Sequence, residues 1–234
     1  MKTVLANKSN YGNPRNSSDI KFIVIHYTGN DCDTDSANVK YFQSPNRGAS
    51  AHYFVDDDSI TQSVPDNYIA WHCGTSGTYY HKICRNANSI GVEMCDTIKD
   101  GTHNLSKKTR ANVIELIRTL MDKYNIPIQN VVRHYDVTHK LCPAYFVNDS
   151  DAWTAFKNEI SGNVVESKPS KSDVSYTVKV TANVLNIRAG AGTKYKVTGQ
   201  IKDKGTYTII KEKNGWGKLK SGSGWVSLKY CERI

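Results

Sequence analysis

Two imidazoles and a thiol stand where a metal ion could be held. His26 closes the apolar run KFIVIH (21–26), His134 closes VVRH (131–134), and Cys142 follows eight residues later in RHYDVTHKLCP. Two nitrogen donors and a thiolate make three ligands of a tetrahedral zinc site. A fourth position left to water is what distinguishes a catalytic zinc from a structural one. His139 lies between the last two and competes as a ligand by proximity, since spacing alone does not exclude it. Glu93 is the other residue with chemistry to offer. It is a lone acid in the apolar stretch SIGVEMC (89–95), where burying a carboxylate without a partner or a task is costly.

The elements that must position these groups follow from periodicity. KFIVIH reads as a buried strand, SAHYFVD (50–56) and ITQSV (60–64) as two strands joined at Asp57, Asp58 and Ser59, and SIGVEMC and VVRH as further strands. Ser106 is a candidate N-cap for a helix reaching Tyr124, with Val113, Ile114, Ile117, Leu120 and Met121 at helical spacing and Pro127 soon after its end. DAWTAFKNEI (151–160) is a last helix. The expected fold of residues 1–160 is α/β, a mixed central sheet flanked by helices. Residues 161–175, SGNVVESKPSKSDVS, are rich in Ser and Lys with no apolar period and read as a linker. Residues 176–234 change to short alternating strands with glycine turns, the pattern of a small all-β barrel.

Charge divides the chain at the same place. The net charge of +9 is carried by the C-terminal third: residues 1–162 hold 17 Lys and Arg against 17 Asp and Glu, and residues 163–234 hold 14 against 5. Such a module suits a polyanion, and bacterial wall polymers, nucleic acid and anionic lipid all qualify. Its lysines are scattered along strands without a docking helix, which argues against nucleic acid. No run of about 18 apolar residues is present to span a bilayer, and the start MKTVLANKSNYGNPRN lacks the apolar core of a secretory signal. The expectation is synthesis in the cytoplasm, no membrane partner and a monomer. The six cysteines, at 32, 73, 84, 95, 142 and 231, form no evenly spaced disulfide framework and read as mostly reduced thiols.

VIHYTG (24–29), SAHYFVDDD (50–58), AWHCG (70–74), NSIGVEM (88–94), RHYD (133–136) and KLCP (140–143) occur in the order found in the type 2 N-acetylmuramoyl-L-alanine amidases, the family shared by phage lysozyme-like amidases and animal peptidoglycan recognition proteins. The chain resembles that family over roughly residues 20–160. LNIRAGAGTKY, the Lys-Gly turn at 204–205, Asn-Gly-Trp at 214–216 and Gly-Trp-Val-Ser at 224–227 resemble bacterial SH3-like wall-binding domains.

The first resemblance implies His26, His134 and Cys142 as zinc ligands and Glu93 and Lys140 as the catalytic groups around the scissile amide. Trp71 and His72 in the AWHCG loop, with Asn88 beside the strand, are candidate substrate-positioning residues. Some relatives place a tyrosine where this chain has His52. Because neighbouring strand residues point to opposite faces, His52 rather than Tyr53 is expected to face the substrate. The second resemblance implies that Tyr195, Trp216 and Trp225 contact the wall, against a role for each in filling a small core.

Together these imply a peptidoglycan hydrolase, of the kind a phage endolysin provides, acting on the wall after release by another agent. Two other classes stay open. A non-catalytic peptidoglycan receptor is disfavoured because all three ligand positions are filled, and a zinc peptidase cutting stem or cross-bridge peptides is disfavoured only by the ordered motifs.

Overall fold

Strands and helices alternate through the first part of the chain: β1 (Lys2–Thr3), β2 (Tyr11–Pro14), β3 (Phe22–Tyr27), α1 (Asp35–Gln43), β4 (Tyr53–Val55), β5 (Ile60–Gln62), β6 (Tyr68–Ala70), β7 (Ser89–Met94), α2 (Lys107–Tyr124), β8 (Val131–Arg133), α3 (His134–Thr138), α4 (Ala144–Asn148) and α5 (Ser150–Ile160). The structure, a computed structural model, describes residues 1–98, 105–162 and 175–234. Two compact units result, Met1–Val164 and Val165–Ile234. The linker expected at 161–175 falls, over 163–174, outside the described residues.

The central sheet of the first unit has the order β1, β5, β4, β7, β3, β8. Strands β4, β7, β3 and β8 run parallel, and β5 turns back antiparallel to β4. Parallel strands covered on both faces need apolar side chains on both, and β3 alternates accordingly. Ile23 and Ile25 enter the main core with α2 and α5, while Phe22 and Val24 enter a second cluster with Cys73, Cys84 and Val137. Strand β7 sorts its side chains more sharply. Ile90, Val92 and Met94 join the α2 core, which leaves Ser89, Gly91 and Glu93 for the other face.

The long helix forms where expected. The Ser106 hydroxyl accepts from the Thr109 N–H at 3.0 Å, Val113, Ile114, Leu116, Ile117 and Leu120 form the buried face, and Asn125 ends it in a left-handed conformation at φ 52°. Each fully buried Ile or Leu of this stripe contributes about 1.5–3 kcal/mol. At both histidines the expected strand end moves: β3 runs one residue past His26 to Tyr27, and His134 does not end β8 but opens the five-residue helix α3.

In the second unit β9 (Tyr176–Val180), β10 (Leu185–Arg188), β11 (Val197–Ile201), β12 (Thr206–Lys213), β13 (Trp216–Leu219), β14 (Trp225–Ser227) and β15 (Cys231–Arg233) form an antiparallel sheet in the order β11, β10, β14, β13, β12, β9, β15. Asn214 and Gly215, both at positive φ, make the two-residue hairpin that sets Lys213 opposite Trp216. Val178, Val180, Leu185, Ile187, Ile201, Ile209, Leu219 and Val226 fill its core.

Candidate metal centre

His26 and Glu93 are paired across β3 and β7 in register, both on the face turned away from α2. Helix α3 brings His134 to them, with ring centroids of His26 and His134 4.6 Å apart. The loop after α3 returns Cys142, whose Sγ lies 3.9 Å from His26 Nδ1. One donor atom from each of His26, His134 and Cys142 lies within 4.8 Å of the others, and all three residues are buried. Glu93 Oε1 sits 3.9 Å from the same His26 Nδ1. These four residues line one pocket with Tyr27, Thr28, Ser50, Trp71, His72 and Lys140. Trp71, His72, His134 and Lys140 continue into an outer lobe with Thr75, Ser76, Thr138 and His139.

Several properties of this chain's own atoms fit a zinc ion. Both ring nitrogens of His134 and Oε2 of Glu93 are buried without a hydrogen-bond partner, a state that native proteins rarely tolerate without a role for the group. Burial, reinforced by the neighbouring His134, His72 and Lys140, holds His26 well below the ordinary imidazole range. Burial and Lys140 bring His134 down to about 3. Both rings are therefore neutral, the form that coordinates. Burial and the nearby Glu93 push the Cys142 thiol up to about 12, and a divalent cation at this point reverses that, since a coordinating thiol is deprotonated outright. Two imidazoles and one thiolate are a zinc donor set with a position to spare. Burial also lifts Glu93 to about 7 against the opposing pull of Lys140.

The structure brings His26, His134, Cys142, Glu93, Lys140, Trp71 and His72 to one pocket and leaves two expected residues out of it. His52 does lie on the site side of the sheet, as alternation requires, but one layer beneath. It is fully buried, its Nδ1 accepts from the Gly91 N–H at 3.0 Å, and its Nε2 faces Tyr68 O and Arg15. Asn88 is spent on the backbone: its side chain binds Arg85 N and Ile83 O. It lines a separate depression with Arg15 and Lys21. His139, the competing ligand, is outside the donor cluster. It is exposed at φ 59° and stacks on Tyr80 with centroids 3.4 Å apart. Ser89, Gly91 and Thr28 are site-face residues that the reading of the sequence did not single out, although the alternation of S, G and E with I, V and M in SIGVEM carries the signal.

The three aromatics of the second unit expected to contact the wall differ from one another. Trp225 is 8% exposed, yet its register with Lys218 puts it on the face opposite Leu219 and Val226. Trp216 and Tyr195 are half-buried. All six cysteines are free thiols, and among the described residues no helix is long and apolar enough to cross a membrane.

Residues 16–145 match the family described as N-acetylmuramoyl-L-alanine amidase, and residues 183–232 match the bacterial SH3 domain. The chain is 34% identical over 188 residues to the N-acetylmuramoyl-L-alanine amidase CwlL of Bacillus licheniformis, covering 76% of this chain and 51% of that protein. It is 35% identical over 193 residues to the amidase BlyA of Bacillus subtilis, covering 77% and 51%. The chain thus spans about half the length of these curated relatives. Among solved structures, the catalytic domain of XlyA aligns with TM-score 0.55 at 31% identity over 68% of this chain and 97% of that one. The PlyG catalytic domain aligns with TM-score 0.58 at 32% identity over 70% and 94%. With its amidase region covering more than half of the sequence and its fold shared with those catalytic domains, the chain belongs to the N-acetylmuramoyl-L-alanine amidase family.

Proposed function

We propose that the chain is a zinc-dependent peptidoglycan hydrolase that cleaves the amide between N-acetylmuramic acid and the L-alanine of the stem peptide. The observation that carries this reading is the buried His26, His134 and Cys142 cluster, with both His134 nitrogens unpartnered and Glu93 beside it. A zinc ion held there supplies Lewis acidity, lowering the pKa of water toward neutrality and polarising the amide carbonyl. Glu93, whose Oε1 lies 3.9 Å from His26 Nδ1, stands beside the ion's position as the general base. It takes the proton of the attacking water and returns it to the alanine nitrogen as that group leaves. The Lys140 ammonium, on the wall of the same pocket, faces the negative charge that develops on the carbonyl oxygen. Trp71, 37% exposed, offers an indole face to the substrate along the outer lobe.

The second unit is the wall-binding module in this reading, with Trp216 and Tyr195 its accessible aromatic contacts, and residues 161–175 join it to the catalytic unit. Its basic surface favours retention on an anionic wall. The names of the relatives, endolysins among them, support action on the wall after release from the cell that makes the protein.

The test is digestion of purified Gram-positive peptidoglycan with the wild type and with Glu93→Ala and Cys142→Ser, followed by mass spectrometry of the new ends. New N-terminal alanine without new reducing sugar, lost in both variants and on chelation, is the expected result. Other new amino termini would replace the amidase with a peptidase. Wall binding without any cleavage would replace it with a receptor.

A further inference from the structure

His72 stands beside the donor cluster, but its ring nitrogens do not point into free space. Its Nδ1 lies 3.0 Å from His26 Nε2, and its Nε2 lies 3.2 Å from the Ser89 hydroxyl, which donates to Arg85 O at 2.7 Å. The other nitrogen of His26, Nδ1, is the one that faces Cys142 and Glu93. Proton bookkeeping on these contacts has one consistent solution. A coordinating Nδ1 of His26 carries no proton, so its Nε2 carries one and donates to His72 Nδ1. The proton of neutral His72 then sits on Nε2 and goes to Ser89 Oγ, whose own proton goes to Arg85 O. Every donor in the chain has an acceptor.

We infer that His72 is a positioning residue for the metal centre, fixing the tautomer and ring orientation of His26 through a His26–His72–Ser89–Arg85 hydrogen-bond chain, rather than a residue whose main task is contact with substrate. The inference rests on the reading of His26, His134 and Cys142 as zinc ligands. Metal-bound histidines generally hand their second ring N–H to an acceptor that sets their geometry, and here that acceptor is a second imidazole anchored to the backbone.

The strand beneath is shaped for it. A Cβ on Gly91 would come within 2.5 Å of His72 Cγ, so only glycine lets the ring lie against β7 between Ser89 and Glu93. Asn86 Oδ1 accepts from the backbone N–H groups of His72 and Cys73 at 3.2 and 2.8 Å, which fixes the loop that carries the ring.

The experiment is a zinc affinity measurement on the full chain by competition with a chromophoric chelator. The wild-type titration decides the metal reading, and the ratio of variant to wild type decides this inference. His72→Ala should bind zinc about 10- to 100-fold more weakly, the usual cost of losing such a partner. His72→Gln, whose amide oxygen can accept the same N–H, should recover part of the loss. Ser89→Ala and Gly91→Ala should each weaken binding as well, so the test survives if His72→Ala does not fold. In the zinc-loaded protein, ring nitrogen NMR should show both His26 and His72 as Nε2–H tautomers. Zinc affinity unchanged in all four variants, with KM raised in His72→Ala at saturating zinc, would make His72 a substrate contact and overturn the inference. A His72 protonated on Nδ1 would overturn it too. A wild type that holds no zinc would remove the metal reading and this inference together.

Discussion

The two faces of the central sheet hold buried polar clusters of opposite character. Behind β4 and α2, Asp66 is saturated: it accepts from the hydroxyls of Tyr53 at 2.7 Å and Tyr124 at 2.6 Å, from Lys123 Nζ at 3.0 Å and from Gln62 Nε2 at 3.1 Å. On the other face, His134 and Glu93 keep buried atoms with no partner. Both clusters are expensive to desolvate, and only the first recovers that cost within the protein. On the function proposed above, the difference separates a knot that holds the fold from groups left without protein partners for a metal and a substrate. His52 and Tyr53, adjacent in sequence, point one to each side.

The sharpest way to break this comparison is Glu93→Gln. The amide keeps the shape but cannot cycle a proton, so kcat should fall about 10²- to 10⁴-fold. Because the acid it replaces has an unpartnered buried oxygen, stability should stay level or rise. A large loss of stability would show that Glu93 belongs with Asp66 as a structural group, and wall digestion followed beside thermal melting reads both quantities. Zinc is the next lever. At a free concentration of about 100 times the dissociation constant it should stabilise the first unit by about 2.7 kcal/mol, while hydrogen exchange in β9–β15 stays the same with and without chelator. Equal protection of both units under both conditions would count against the metal site.

Much of this arrangement is legible in the residues. The alternation of SIGVEM puts Ser, Gly and Glu on one face and Ile, Val and Met on the other, and His26 is the penultimate residue of a strand whose apolar neighbours fix its side. The N-cap at Ser106 and the apolar stripe behind it give α2 to within a residue. What escapes is set by tertiary contact. Helix α1 buries only Asp35 and Val39, too little for a visible period. The β2–β6 ladder brings together residues 11–14 and 68–70, for which no local pattern speaks. His52 and Asn88 sit in motifs that suggest substrate contact, but Gly91 and Tyr68 claim the His52 ring and Arg85 and Ile83 claim the Asn88 amide. The His52 partners come from segments 16 and 39 residues away, and those of Asn88 lie three and five residues back in a turn; neither is written in the motif.

The knot is tested by Tyr53→Phe. Tyr53 is 2% exposed, and its hydroxyl donates to a buried carboxylate. Removing it should destabilise the first unit by about 2 kcal/mol, the range for a hydrogen bond to a charged group. Zinc affinity and wall digestion at low temperature should be unchanged. Urea denaturation read by hydrogen exchange in β7 measures the first, and a shift in zinc affinity would show that the two faces are coupled.

The smallest expected effect is a pH dependence. Burial, and then the Asp66 carboxylate beside it, push the Tyr53 hydroxyl well above its ordinary value of 10.0. The folded protein therefore retains a proton that the unfolded chain releases in alkali, so the stability linked to Tyr53 is fully present below about pH 10 and is lost as pH rises beyond it. Tyr53→Phe has no such proton in either state. Its stability, lower than wild type at neutral pH, should fall less steeply above about pH 10, and the two curves should converge. Parallel alkaline limbs would mean that Asp66 holds its partners without holding the Tyr53 proton, which would make the knot a packing feature rather than a saturated acid.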